Sequence, residues 1–156
     1  MKILCFVVMF FLCGCATTSS VSDTEPIQNT FEINKPFNSV WKAIVATFAE
    51  HSYPIKAIEK DSGLITTDFI VFADGIMADD EIKGISKRPS LFMGTWTGGR
   101  YTISIYAQQI DSKITKIKIT PHIEAYESNL SNSWHTCNSK GVLEKEIYDF
   151  IMDKLK

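Results

Sequence analysis

Between Thr30 and Leu155 the apolar positions recur with two different periods, and the switches between them mark out the elements. Thr30 to Asn34 alternates, with Phe31 and Ile33 against Glu32 and Asn34, which predicts a short strand. Behind Pro36, a residue suited to a first helical turn, Phe37, Val40, Trp41, Ile44, Val45 and Phe48 recur at helical spacing, with Lys42 and Glu50 opposite. The expected helix is 36–51, and Ser52-Tyr53-Pro54 ends it. Ile55 to Lys60 and Leu64 to Ala73 read as two strands of a hairpin turned at Asp61-Ser62-Gly63. Tyr101 to Ile110 alternates again, and Asp111-Ser112-Lys113 turns the chain. Ile117, Ile119, Pro121, Ile123 and Ala125 then alternate with Lys116, Lys118, Thr120, His122 and Glu124, a strand with one wet face. Pro121 has no N–H for a ladder, so an edge or a bulge is expected there. A helix from Lys140 to Leu155 carries the stripe Leu143, Ile147, Phe150, Ile151 and Leu155, with acids early and lysines late as the helix dipole favours. Asn138 or Ser139 is its expected cap, and neither has a Glu at capping-box spacing.

The order β-α-β-β-β-β-α implies a single α+β domain over residues 30–156, built as two layers. An antiparallel sheet with two helices on one face buries every stripe. Residues 74–99 are the longest stretch without a period, and such loops are functional or disordered. Within it Leu91, Phe92, Met93 and Trp96 either fold back over the core or stand exposed as a contact patch. The glycine-rich run Gly94 to Gly99 lacks the Lys-Ser/Thr ending of a phosphate loop and reads as a mobile turn. Asp74, Asp79, Asp80 and Glu81 lack the EF-hand pattern and read as a solvated acidic loop, with no metal expected.

The N-terminus has a different build. Lys2 precedes an apolar run from Ile3 to Leu12, too short to span a bilayer, and the polar Ala16-Thr17-Thr18-Ser19-Ser20 follows. This is the layout of a secretory signal. Leu12-Cys13-Gly14-Cys15 resembles the lipobox of bacterial lipoproteins, with Leu12 three residues before the cysteine and the small Gly14 just before it. The resemblance implies that residues 1–14 are removed, that Cys15 takes a diacylglyceryl thioether, and that its new amine takes a further acyl chain such as palmitate. Two or more chains make attachment stable. In the same family Ala16 after the cysteine implies the outer membrane, periplasmic face. Residues 15–29 are Ser/Thr-rich and poor in apolar residues, a tether with a reach of about 20 Å.

Cysteine use and charge narrow the options. Cys5 and Cys13 leave with the signal and Cys15 with the lipid, so Cys137 stands alone and no internal disulfide is expected. A catalytic thiol at Cys137 with His135 two residues away is conceivable, against a buried free thiol. Loss of Lys2 with the signal moves the formal charge from −2 to −3, which argues against a nucleic-acid partner. His51, His122 and His135 show no metal-ligand spacing, and no hydrolase motif or cofactor box is present.

Further along, Pro36-Phe37-Asn38-Ser39-Val40-Trp41, Tyr53-Pro54-Ile55 and Gly63-Leu64-Ile65-Thr66-Thr67 resemble the helix-grip domains of the BamC (NlpB) lipoproteins. Gly99-Arg100-Tyr101, Thr115-Lys116-Ile117 and Ser139-Lys140-Gly141-Val142-Leu143-Glu144 continue the resemblance to the end of the chain. It implies a non-enzymatic envelope protein that contacts a protein partner or assists assembly. Those lipoproteins carry two such domains and a long N-terminal arm, so fold and compartment are carried over, not a place in one machinery. The alternative is a small-molecule or lipid-binding module, with Trp41, Phe48 and Phe150 lining a cavity between helix and sheet.

Overall fold

The first helix forms where the apolar spacing places it. In the computed structural model, which describes residues 26–156, α1 spans Phe37–Glu50 and buries Val40, Trp41, Ala43, Ile44, Thr47 and Phe48. Pro36 sits one position earlier than expected, as the extended N-cap, and its carbonyl accepts from the N–H groups of Ser39 (2.9 Å) and Val40 (3.2 Å). The one polar residue on the buried face, Thr47, donates its hydroxyl to the Ala43 carbonyl at 2.9 Å and so leaves no unmet donor.

Eight strands form one antiparallel open sheet: β1 (Thr30–Ile33), β2 (Ile55–Glu59), β3 (Leu64–Thr67), β4 (Ile70–Asp74), β5 (Ser86–Lys87), β6 (Trp96–Gln109), β7 (Thr115–Glu127) and β8 (Ser133–Ser139). The order is β2-β3-β6-β7-β8-β5, with β4 beside β3 on β6 and β1 beside β8 on β7. The long β6–β7 hairpin is the spine, and Asp111 fixes its turn by accepting from the N–H groups of Lys113 (2.6 Å) and Ile114 (2.8 Å). The β2–β3 hairpin is as expected. At its turn Gly63 has φ +71°, and a Cβ there would lie 2.0 Å from the Ala107 carbonyl oxygen, so only glycine fits.

Pro121 lies inside the sheet rather than on an outer edge, yet nothing is left unpaired. The Ile119 N–H points toward the β1 side, donating to Asn29 at 2.8 Å, and the Pro121 nitrogen two residues on points the same way. There β7 has no neighbour: β1 ends its pairing at Lys118, and β8 begins its own at Ile123. Among the described residues the ring thus occupies a gap between β1 and β8, where no ladder donor is needed.

Several expected elements need correction. Leu64 to Ala73 is two strands, because Asp68 interrupts the run and its carboxylate caps the Phe69 N–H at 2.8 Å. The stretch 74–99 is not irregular: it holds a 3-10 turn (Gly75–Met77), the helix α2 (Ala78–Ile85), β5 and the start of β6. β8 runs through residues read as loop, since Ser133 to Ser139 buries only Cys137 fully and shows no apolar alternation. The last helix, α3, spans Val142–Asp153 behind Gly141 at φ +84°. Ser139 does serve its start, accepting from the Gly141 N–H at 3.0 Å and donating to Glu144 at 2.8 Å. That pairing spans five residues, outside the capping-box spacing.

The fold is thus a single α+β domain, with three helices rather than two among the described residues. α1 and α3 pack on each other and on β6 and β7, and α2 packs on β6 and β4. Phe48, Ile103, Ile105, Ile117, Ile119, Ile147 and Ile151 are fully buried in one continuous core. Charged and polar residues of β7, Lys118, Thr120 and His122 among them, occupy the opposite face of the sheet, which none of the described helices covers.

Candidate interaction surface

At the end of the sheet where β6 begins and β7 finishes, three connections meet: the turn after β4, residues 88–95 before β6, and residues 128–132 between β7 and β8. The alternation of Ile117, Ile119, Ile123 and Ala125 carries on by two residues to place Glu127 on the inner side, with no solvent-accessible surface. Its carboxylate accepts from the N–H groups of Thr95 (3.1 Å), Asn129 (2.9 Å), Leu130 (3.0 Å) and Ser131 (2.6 Å), and from the Ser131 hydroxyl (2.9 Å). Burial raises the pKa of this group. The donors from Ser131, Asn129 and Thr95 lower it by more and hold it at about 2. A carboxylate therefore ties the two loops together. Polarity hid this residue from the hydrophobic pattern, although the two-residue period pointed at it.

Trp96, Leu91, Phe92 and Met93, expected either as core cover or as contact patch, divide between the two. Trp96 is buried, its ring edge-on to His135 at 5.5 Å with the Arg88 guanidinium 5.3 Å away. It belongs to the core and cannot be a contact. Leu91 is half-buried, while Phe92 and Met93 are exposed. Met93 holds φ +62°, a conformation that costs an ordinary side chain about 1–2 kcal/mol, and Asn129 secures it by donating its amide to the Met93 carbonyl at 2.9 Å.

The glycines are not a mobile turn. Gly98 and Gly99 are paired within β6, and a Cβ on Gly99 would meet Phe72 at 2.7 Å and Ala73 at 2.9 Å. Nor are the acids a free loop. Asp79, Asp80 and Glu81 occupy the first turn of α2, where the helix dipole favours them. Asp79 pairs with Lys83 (2.6 Å) and Arg88 (2.7 Å). Burial opposes its charge, and these two cations keep its pKa below the usual carboxylate range.

Beside this end, on the helix-free face, the pairing of Gly98 with Tyr126 opens room for a cluster that the sequence did not announce. Arg100 lies between the Phe69 ring (3.9 Å) and the Trp134 ring (4.0 Å), and its Nε donates to Glu124 at 2.7 Å. Tyr126 packs on Trp134 at 5.2 Å between centroids and donates its hydroxyl to Asn132 at 2.6 Å. His122 stands 3.3 Å from the other oxygen of Glu124. Phe69, Val71 and Trp134 all remain exposed. The alternation put Glu124 on the wet face, and Arg100 and Tyr126 extend the same two-residue period past the expected strand ends, but Phe69 comes from a break in a strand and Trp134 from an unexpected one.

No protein-family model matches the chain, and no curated protein matches it.

The remaining candidates are scattered. Trp41 and Phe48 are core residues, stacked on Phe37 (5.9 Å) and edge-on to Tyr53 (5.5 Å). Phe150 is half-exposed and stacks on His51 at 4.0 Å, so these three do not converge on one cavity. The Cys137 thiol is buried, which raises its pKa, and it meets the His135 carbonyl (3.6 Å) rather than the ring. The ring instead lies 2.7 Å from the Ser131 hydroxyl, in the order carboxylate–hydroxyl–imidazole, whereas a nucleophilic triad needs the imidazole in the middle. Cys15, the signal over 1–14 and most of the tether over 15–29 lie outside the described residues.

Proposed function

We propose that this protein is a lipid-anchored envelope protein, held by acylated Cys15 at the periplasmic face of an outer membrane. Its domain serves as a non-enzymatic contact or assembly accessory for an envelope protein. The observation that carries the contact role is the Arg100 guanidinium clamped between Phe69 and Trp134 and locked by Glu124 on an uncovered sheet face. Trp, Tyr and Arg are the residues in which interface energy concentrates, and a side chain fixed before binding loses little further freedom on association. Exposed Val71, paired opposite Arg100, extends the patch with an apolar contact.

Photo-crosslinking from position 71 in intact cells tests the contact. A discrete adduct to one envelope protein is expected, and Trp134→Ala or Arg100→Ala each weakens that complex by about 2 kcal/mol, the size of an interface hot spot. Repeated absence of any adduct, or affinity indifferent to both substitutions, overturns the reading. For the anchor, palmitate label is expected on the wild-type chain and lost in Cys15→Ser, and an unlabelled wild type overturns it.

A further inference from the structure

The end of the sheet beyond Glu127 presents apolar side chains of a different kind from the Arg100 cluster. Ile76 is 99% exposed, Phe92 89%, Met93 74%, Met77 63% and Leu130 58%, and they project from all three connections at that end. From this arrangement we infer that the tip rests in the interfacial layer of the membrane that carries the Cys15 lipid, and that its occupant is a phospholipid bilayer. The inference relies on the lipid-anchor reading.

Three observations carry it. First, these side chains sit on three separate turns, Ile76 with Met77, Phe92 with Met93, and Leu130. A fluid apolar phase takes up separate projections without a matching shape, whereas a rigid protein partner must present a cup for each. Second, main chain entering an apolar layer must have its polar groups satisfied internally. Here Glu127 serves the N–H groups of Thr95, Asn129, Leu130 and Ser131. Ser128 donates to Thr95 (2.9 Å), Gly94 to Leu91 (3.2 Å), and the Met93 carbonyl accepts from Asn129. Asp74 closes β4 one residue before the first turn, which limits immersion to the tip itself.

Third, the lengths agree. Asn29 lies beside Ile119, eight residues along β7 from Glu127, which is about 26 Å at 3.3 Å per residue. The fourteen residues from Cys15 to Asn29 span at most about 50 Å, so the lipid and the tip can share one plane. In that pose the strands rise from the membrane and the Arg100 face looks sideways, open to a partner.

The test uses the acylated full chain in phospholipid vesicles, with a spin label on Phe92→Cys and a control label on Val71→Cys. Palmitate incorporation is checked on each. At position 92 collisions with oxygen are expected to exceed those with a water-soluble nickel reagent severalfold, while position 71 behaves as in water. A water-like position 92 on a fully acylated chain overturns the tip proposal and leaves the anchor standing. Loss of the palmitate label overturns the anchor and the tip together. A label at 92 that is shielded from both reagents in native membranes, but water-like in pure lipid vesicles, overturns the bilayer in favour of a protein partner.

Discussion

At Glu127 burial and hydrogen bonding pull in opposite directions, and the balance decides how stability varies with pH. Burial disfavours the charge; four N–H groups and a hydroxyl favour it more, and the pKa falls from its ordinary 4.5 to about 2. A group whose pKa is depressed on folding stabilises the native state above its unfolded value, and that contribution is lost as pH falls through the folded one. Denaturant unfolding should therefore show the wild type losing stability between about pH 4.5 and pH 2, before other carboxylates are counted. Glu127→Gln replaces an acceptor oxygen by an N–H2 aimed at donors, so it is expected to be less stable at pH 7. Its deficit should shrink as pH approaches 2. A deficit unchanged across that range would show that the carboxylate's charge does not matter to the clamp.

The glycines make the corresponding argument for elements. Gly99 sits in β6 with Phe72 and Ala73 closer than any Cβ tolerates, so Gly99→Ala is expected to lower unfolding free energy by about 1–3 kcal/mol, as overpacking does. Gly84, in the last turn of α2, faces open space, and Gly84→Ala should stabilise by about 0.5–1 kcal/mol through helix propensity alone. Urea unfolding of the two variants checks both signs. The contrast also explains which elements could be read from the sequence. α1, α3 and the β6–β7 hairpin bury long periodic stripes, so their pattern is explicit. α2 is eight residues long and buries only Ala78 and Ile82. β8 alternates polar residues and is held by the β7 ladder, and β4 is cut from β3 by one aspartate. Such short elements are fixed by neighbours distant in sequence, and the Arg100 cluster is hard to foresee because Phe69 lies in the break before β4 and Trp134 belongs to β8. Phe92 and Met93 were legible as apolar residues without a period. That Trp96 goes inside while they stay out depends on where β6 starts to pair.

For the whole molecule, stability rests on packing without covalent help. Among the described residues Cys137 is the one cysteine, and it is free. In the proposed envelope location disulfides would persist, yet the described domain has no pair to form one. Its core is instead a continuous apolar layer of isoleucines between three helices and the sheet. Two consequences follow at this scale. Thermal unfolding of the folded domain should have the same midpoint with and without a reductant. Cys137 should also report global opening, because burial both shields the thiol and raises its pKa, and each effect suppresses the reactive thiolate. Its partner on β7, Ile123, is buried in the core, and the pair ends the β7–β8 ladder, so labelling also tests whether that end frays. A thiol reagent is then expected to label the native protein slowly, at a rate that climbs with denaturant as steeply as the unfolding equilibrium itself. Rapid labelling at pH 7 without denaturant would mean that β8 opens independently of the core, and the domain would not be the single cooperative unit its packing implies.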